Sequence, residues 1–355
     1  MTMICLMLLC AWLQSSHQNP IDQWTLRPNV LVVQVTGETG VVHVTCLNQT
    51  TEPRTAVTPN ITWRKDGVEL REKGNTYSIR LQQSLPGGNY TCHLEDGSLL
   101  NYTTVLLYRT DQSRRILKST GLDEYLQCAT ENYNGGFHCS WTKGTSRDGH
   151  VVHVSAQRQN SDGDDYRCSA DSSGDRWSCA SERSRMTCSV NATNCQISCM
   201  DEQHCPYSEE TKPIEVMIYF RSDYYQVEFY SKQFLLSEIV KPGMLGFSKI
   251  NKTLISLSYP RSWNTPHSYF PLTFQVVQYR KARTKCPNPS DNGHARLSES
   301  SLIEVSPKTG SVCVRARDSF SNSNWGEFSL YRVREGAGRR NRKPNGPNKW
   351  KWDQQ

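Results

Sequence analysis

The chain has 355 residues, with 41 Lys and Arg against 34 Asp and Glu, 36% hydrophobic residues and fourteen cysteines. A chain of this length usually forms two or three domains, and so many cysteines argue against the reducing cytosol. The sequence contains no nucleophile elbow, phosphate-binding glycine loop or paired-carboxylate motif, so we expect neither catalysis nor a cofactor.

The N-terminus predicts a signal peptide over residues 1–18. Ile4–Leu13 is a ten-residue apolar run that polar residues follow, too short to cross a bilayer but long enough for a signal core. A buried strand or helix is the alternative. Cys5 and Cys10 would leave with the signal. No later segment has eighteen consecutive apolar residues, so we expect secretion to the extracellular space without a membrane anchor.

Sequons for N-glycosylation support secretion, because each marks a surface position in an exported chain. The six N-x-[ST] sequons are at Asn48, Asn60, Asn89, Asn101, Asn191 and Asn251.

Short segments in which apolar and polar residues alternate follow the signal. This period of two is typical of strands with one buried face, as in Pro213–Phe220, where every second residue is apolar. We therefore predict an all-β fold. The other predicted strands are Val30–Val35, Val41–Cys46, Tyr77–Leu81, Tyr102–Tyr108, Thr253–Leu257 and Leu272–Tyr279.

Residues 19–110 have the spacing of an immunoglobulin-like domain. Cys46 lies in a predicted strand, Trp63 follows, and Tyr90 precedes Cys92 by two residues. In such a sandwich a disulfide joins the two sheets and the tryptophan packs on it. The pattern predicts a Cys46–Cys92 bridge; unrelated cysteines in another β fold are the alternative.

Residues 111–238 begin a second domain after the polar linker Thr110–Arg115. Cys128 and Cys139 flank ten residues, and Trp141 follows. The turn at Asn134–Gly136 lets this pair bridge neighbouring strands. The spacing resembles the N-terminal module of class I cytokine receptors, which has the fibronectin type III fold.

Residues 239–333 carry a motif similar to the Trp-Ser-x-Trp-Ser box of those receptors, with Gly326 and Phe328 at two of its positions. The resemblance implies a second fibronectin type III domain, in which Arg315 and Arg317 stack with Trp325 and Phe328 in a structural cation–π ladder. Phenylalanine attracts a cation less than tryptophan does, so we expect a looser ladder.

An immunoglobulin-like domain before two fibronectin type III domains is similar to the family of interleukin-12 beta subunits, receptor-like chains shared with interleukin-23. The resemblance implies a secreted immune-signalling subunit that holds a four-helix alpha subunit at the elbow of its second and third domains. A disulfide locks that pair, which is presented to cell-surface receptors. The stretches that carry the resemblance are GNYTCH, the Cys128–Trp141 motif, CPYSEETKPIEVM, SWNTPHSYFPLTF, VRARD and SNWGEF.

Some site residues follow from that resemblance. Cys205 corresponds to the cysteine bonded to the alpha subunit. Asp318 corresponds to an acidic residue that receives an arginine from it, since a carboxylate accepts a guanidinium at two oxygens; a strand-end residue that satisfies local amides is the alternative. Phe320 stands where the family has tyrosine, and Tyr259 and Tyr269 lie in the same region, although core packing explains them as readily.

The remaining cysteines do not pair evenly. The family implies a Cys168–Cys199 bridge, while proximity in sequence suggests Cys286–Cys313. If Cys205 forms a disulfide with the alpha subunit, three cysteines remain. Either one of their thiols is free or a second intermolecular bridge exists. A homodimer through Cys205 is also open. The three are Cys179, Cys188 and Cys195.

The sequence gives only weak signals for metal binding. Cys195, Cys199 and Cys205 fit no common zinc spacing, and Asp162–Asp165 lacks the pattern of a calcium loop.

Residues 334–355 form a basic tail rich in Gly, Pro and Asn, and this composition predicts disorder. The positive charge predicts attraction to polyanions such as heparan sulfate. A tail that only keeps the chain soluble is the alternative. A soluble decoy receptor and an adhesion or matrix protein are the alternative functions. The polyanion candidates are Arg339, Arg340, Arg342 and Lys343.

Overall fold

A computed structural model describes most of the chain, as two compact units. The first unit comprises Met1–Cys128, His138–Asp201 and Lys212–Gln233; the second comprises Ala129–Phe137, Glu202–Thr211 and Phe234–Gln355. The described residues are 22–35, 40–47, 60–81, 87–109, 114–121, 124–159, 166–170, 176–181, 185–263, 269–286, 295–321 and 323–333. The predicted signal peptide, basic tail and acidic run lie outside them. The domain boundaries stay predictions.

Strands dominate both units, as the alternating pattern predicts. In Ile214–Arg221 the side chains of Ile214, Val216, Ile218 and Phe220 are all buried. Strands wholly or mostly in the first unit are β1 (Gln23–Arg27), β2 (Val30–Gln34), β3 (Gly40–Thr45), β4 (Thr62–Lys65), β5 (Val68–Lys73), β6 (Thr76–Leu81), β7 (Gly88–His93), β8 (Leu99–Tyr108), β9 (Leu126–Ala129), β10 (Gly136–Trp141), β11 (His150–Arg158), β12 (Tyr166–Ala170), β13 (Arg176–Ser181), β14 (Met186–Asn191), β15 (Gln196–Asp201), β16 (Ile214–Arg221) and β17 (Gln226–Phe234).

The immunoglobulin-like part contains the bridge and core that the sequence predicts. Cys46 and Cys92 are bonded, with their Cα atoms 6.0 Å apart. Trp63 is buried in the same core, and its indole N–H donates to the carbonyl of Gly74 at 2.8 Å. Strands β3 and β6 form one sheet, and β4, β5, β7 and β8 belong to the other. This arrangement is consistent with an immunoglobulin-like sandwich.

One sheet of nine strands runs through the first unit. Parallel pairing of Gln226 with Leu107 and of Val227 with Tyr108 joins β17 to β8. Strands from the predicted first and second domains therefore share a continuous sheet, with an apolar cluster that includes Leu106 and Val227.

A second sheet of the first unit has the order β12-β13-β14-β15-β10-β9, and each strand carries one cysteine. Neighbouring strands are bonded in pairs, and the Cα–Cα distances are 4.0–4.1 Å. The bonded pairs are Cys128–Cys139, Cys168–Cys179 and Cys188–Cys199.

The Cys168–Cys199 bridge implied by the family resemblance is therefore wrong. β13 and β14 lie between the strands of these two cysteines. Three steps of about 4.8 Å separate the two backbones by about 14 Å, twice the reach of a disulfide. Each cysteine bonds instead to the one directly opposite it, Cys179 and Cys188 respectively. Of the cysteines that the structure describes, Cys195 and Cys205 are free.

The second unit contains the Cys286–Cys313 bridge suggested by proximity, with Cα atoms 5.9 Å apart. Its two sheets have the orders β18-β19-β22 and β21-β20-β23-β24. Within the described residues, no helix has the length and apolar character that crossing a bilayer requires. The elements are α1 (Leu236–Ile239), β18 (Gly246–Lys249), β19 (Leu254–Ser258), β20 (Leu272–Tyr279), β21 (Arg296–Ser298), β22 (Leu302–Glu304), β23 (Ser311–Asp318) and β24 (Ser329–Arg332).

Candidate functional site

Three exposed aromatic side chains form a continuous surface on the second unit. Tyr207, Tyr269 and Phe320 are 48%, 46% and 68% exposed. The ring centroids of Tyr207 and Tyr269 are 5.1 Å apart, and those of Tyr269 and Phe320 are 6.3 Å apart. We call these three residues the aromatic surface. Large apolar side chains grouped in the open are more typical of an interaction site than of a solvated face.

A buried group of rings supports this surface from below. Phe270 lies 4.9 Å from Tyr269 and 4.4 Å from Tyr133 between ring centroids. The indole N–H of Trp263 donates to the carbonyl of Phe270 at 2.9 Å. Because Phe270, Tyr133 and Trp263 are all buried, the surface rests on packed side chains, which fixes its shape before any partner binds.

Asp318 lies at the end of β23 and is fully buried. Its Oδ1 accepts the N–H of Phe320 at 2.9 Å. Its Oδ2 accepts the hydroxyls of Tyr133 at 2.5 Å and Ser321 at 3.0 Å. Burial, and then the bond to Asp318, raises the pKa of Tyr133. These three hydrogen bonds match the alternative of a strand-end residue that satisfies local groups, and contact of Asp318 with an arginine of another chain stays a prediction. In this structure Asp318 positions Phe320.

Cys205 lies two residues before Tyr207, so its free thiol belongs to the segment that carries part of the aromatic surface. Its backbone is held locally, because its N–H lies 3.5 Å from Oε1 of Glu210 and its carbonyl accepts the N–H of Ser208 at 3.1 Å. The side chain is half-buried. Cys205 is therefore a partly exposed residue with a free thiol on a positioned loop, as bonding to another chain requires.

Tyr259 packs apart from these rings. Its ring centroid is 6.1 Å from that of Phe274, and its hydroxyl accepts the N–H of Leu272 at 3.2 Å. The side chain is 38% exposed. These contacts favour the core-packing explanation of Tyr259, whereas Tyr269 belongs to the aromatic surface.

The cation–π ladder forms as predicted. The guanidinium carbon of Arg315 lies 5.2 Å from the ring centroid of Trp325 and 4.7 Å from that of Phe328, and that of Arg317 lies 4.8 Å from Trp325. The predicted loosening at Phe328 is not seen in these distances, since its distance is the shortest. Burial lowers the pKa of Arg315. The ladder stabilises the unit and is not part of the aromatic surface.

Gly326 has a structural reason to replace the serine of the receptor box. A Cβ at this position would lie 2.1 Å from the carbonyl oxygen of Pro242. The N–H of Gly326 also donates to the carbonyl of Ala316 at 2.8 Å, which holds the backbone in place. Only glycine fits this close approach of two backbones.

The sequons differ in accessibility. Asn60 and Asn251 are exposed, whereas Asn101 is half-buried and its Nδ2, the atom that glycosylation modifies, donates to the carbonyl of Cys46 at 2.8 Å. Asn89 and Asn191 are half-buried. Asn48 lies outside the described residues.

Sequence reasoning missed Tyr133 and Tyr207. Tyr207 lies within the CPYSEETKPIEVM stretch, and its position two residues after Cys205 was a signal that could have identified it. Tyr133 bonds to a residue 185 positions away, which no local pattern signals. In the part of the chain that the structure describes, no three His, Cys, Asp or Glu side chains group as a metal site would require.

Comparisons with known proteins agree with this architecture. The sequence profile of the family described as "Cytokine interleukin-12p40 C-terminus" matches residues 123–222. The chain is 30% identical to interleukin-12 subunit beta of Sigmodon hispidus over 323 residues, covering 86% of this chain and 91% of the relative. It is 29% identical to that of Homo sapiens over 326 residues, which cover 86% and 92%. For Felis catus the identity is 28% over 344 residues, which cover 91% and 97%. The chain therefore belongs to the interleukin-12 subunit beta family and is a cytokine subunit.

Proposed function

We propose that the chain is the secreted, non-catalytic, receptor-like subunit of a heterodimeric cytokine. It binds a four-helix alpha subunit on the aromatic surface and bonds to it covalently through Cys205. The observation that supports this proposal is the free, half-buried thiol two residues from Tyr207, at the edge of a supported and exposed group of rings. The immunoglobulin-like domain is then left to engage a cell-surface receptor chain.

The size of the aromatic surface explains why a covalent link is useful. Half of three rings of about 200 Å² each is about 300 Å², well below the roughly 800 Å² that each partner buries in a standard stable interface. A contact of this size does not hold a pair together at the nanomolar concentrations of a signal. A disulfide removes the dependence on dilution.

Asp318 contributes indirectly in this proposal. Its Oδ1 fixes the backbone of Phe320, so the phenyl ring stands ready on the surface. The phenyl group supplies apolar contact, and an arginine of the alpha subunit would stack on the exposed rings beside Asp318.

Co-expression with candidate four-helix cytokine subunits tests the covalent link. We expect a heterodimer on non-reducing electrophoresis that Cys205→Ser abolishes and that the matched control Cys195→Ser retains. A covalent species that survives Cys205→Ser would refute the assignment. A species of twice the chain's own mass, lost in Cys205→Ser, would instead indicate a homodimer.

The non-covalent surface needs its own test. In the Cys205→Ser background we expect Phe320→Ala and Tyr269→Ala each to weaken capture of the alpha subunit at least 5-fold. The control Tyr224→Ala removes an exposed ring in the first unit and should leave capture unchanged. Reversible capture by the unmodified chain, with no covalent species, would favour a soluble decoy receptor instead.

We also propose that the basic tail binds heparan sulfate. Retention on heparin that persists above about 0.2 M salt in the full chain, and is lost on deleting residues 336–355, is the expected result. Strong heparin binding without any helical partner would favour the adhesion or matrix alternative.

A further inference from the structure

A cavity of about 590 Å³ opens on the first unit, and its lining includes none of the residues assigned above to alpha-subunit binding. Its base is apolar, since Trp141, Val151, Val152 and Phe220 are buried there. Its volume is that of a site for a small ligand or a single large side chain. We call this cavity the indole pocket, after Trp141 and the second tryptophan in its wall, Trp177.

Three cations line the same pocket. Arg27, Lys143 and Arg221 come from β1, the segment after β10, and β16. Among the described residues none of the three has a carboxylate within 4.0 Å. Although the side chain of Arg27 is exposed overall, partial desolvation of its guanidinium lowers its pKa, Tyr102 opposes that shift, and the charge of Arg221 adds to it, as expected where two positive charges lie close together.

Neighbouring rings contact the two arginines, Arg27 and Arg221, without neutralising them. The guanidinium carbon of Arg27 lies 5.8 Å from the ring centroid of Trp177, and that of Arg221 lies 4.9 Å from Tyr225. Nε of Arg221 donates to Nε2 of His150 at 3.2 Å. Burial, then Arg221, lowers the pKa of His150, which keeps this nitrogen an acceptor at neutral pH. The two arginines of the rim are therefore positioned before any ligand arrives.

The base of the pocket offers an unused hydrogen-bond donor. Trp141 is only 5% exposed, and within the described part of the chain its Nε1 has no hydrogen-bond partner. Its backbone N–H donates to the carbonyl of Cys195 at 3.1 Å, and its ring contacts Phe220 edge-on. Leaving a buried donor without an acceptor costs about 1–3 kcal/mol. A ligand oxygen that reached Nε1 would remove that cost.

The lining discriminates between classes of anion. Thr193 is the one neutral hydroxyl side chain among the lining residues. A sugar would bring several hydroxyls that this wall cannot satisfy, and each unpaired one is costly. A flat apolar ring suits the two indoles, the valines and Phe220, while an oxyanion suits the three cations.

We propose that the indole pocket binds an aromatic ring that carries a sulfate or similar oxyanion. The ring packs against Trp141 and Trp177 in the pocket, and the anion lies among Arg27, Lys143 and Arg221. Trp177 stands on the hairpin β12–β13, which the Cys168–Cys179 bond joins. The cysteine-rich segment thus builds one wall of the pocket. A free aryl sulfate and a sulfated tyrosine on another extracellular protein both present this chemistry.

Calorimetric titration of the full glycosylated chain with p-tolyl sulfate tests the proposal. We expect saturable binding that Arg27→Gln and Lys143→Gln each weaken at least 5-fold. Neutral p-cresol should bind at least 10-fold more weakly than p-tolyl sulfate. The matched control Arg80→Gln removes another exposed strand arginine of the first unit and should leave binding unchanged. Thermal unfolding confirms that each variant is folded.

Equal binding by the pocket variants and the Arg80→Gln control would overturn the proposal. Equal affinity for p-cresol would also overturn it, because the anion would then not be recognised. Pocket-dependent binding of a heparin-derived disaccharide without binding of p-tolyl sulfate would identify an acidic-sugar site and refute the aromatic ligand. A sulfotyrosine peptide that competes for the pocket, where its unsulfated form does not, identifies a protein as the source; competition by free aryl sulfate alone identifies a small molecule.

Discussion

Replacing Gly326 with serine would restore a residue of the receptor box, yet the structure predicts that it destabilises the second unit. The new Cβ would lie 2.1 Å from the carbonyl oxygen of Pro242 and 3.3 Å from that of Ala316. Relief requires a backbone shift of about 1 Å, which also strains the Gly326–Ala316 hydrogen bond of 2.8 Å. Overpacking costs about 1–3 kcal/mol and a weakened hydrogen bond about 1 kcal/mol. We expect a total loss of about 2–4 kcal/mol.

Thermal unfolding of the secreted chain measures this loss. At about 2–4 °C per kcal/mol for a unit of this size, Tm should fall by about 5–15 °C. Phe328→Trp restores another residue of the box at a half-exposed position and should change Tm by less than about 2 °C. If Gly326→Ser unfolds within 1 °C of the parent chain, the close approach of the two backbones is not as described, and the explanation of the altered box fails.

Three further predictions concern protonation, the support of the aromatic surface, and glycosylation. Burial is the main cause that lowers the pKa of His153 to about 4 in the folded chain. As the pH falls below about 6.5, His153 therefore takes up a proton in the unfolded state before it does so in the folded state. Stability should drop by about 2 kcal/mol by pH 5, and His153→Phe should remove that drop in urea titrations at pH 7.5 and 5.0; an unchanged pH dependence would contradict the assignment. Tyr133→Phe keeps the ring but removes the donor to Asp318, so we expect a loss of about 1.5–3 kcal/mol in urea unfolding and weaker alpha-subunit capture. A variant as stable as the parent would show that this bond is unimportant. Peptide mass spectrometry after enzymatic deglycosylation in water labelled with oxygen-18 should find Asn251 occupied and Asn101 largely unoccupied. Full occupancy at Asn101 would mean that its hydrogen bond to the carbonyl of Cys46 opens in solution.

The strands and the structural motifs were readable from the sequence because their signals are local. Alternation of apolar residues in Pro213–Phe220 depends only on the two-residue period of a strand, and the structure buries that face completely. The Cys46–Cys92 bridge and the ladder of Arg315 and Arg317 follow from short motifs whose members share a strand or a sandwich.

The tertiary structure alone decided what depends on which strands become neighbours. Cys168 bonds to Cys179 because β13, and not β15, lies beside β12, and strand order is a long-range property that spacing does not encode. Asp318 is buried and accepts a hydrogen bond from Tyr133, which lies 185 positions away in the chain. The indole pocket gathers Arg27, Trp141 and Trp177 from three separate strands. Sequence by itself thus determined the elements and the family. The sites arise where distant side chains meet, because their geometry is set only once the sheets are assembled.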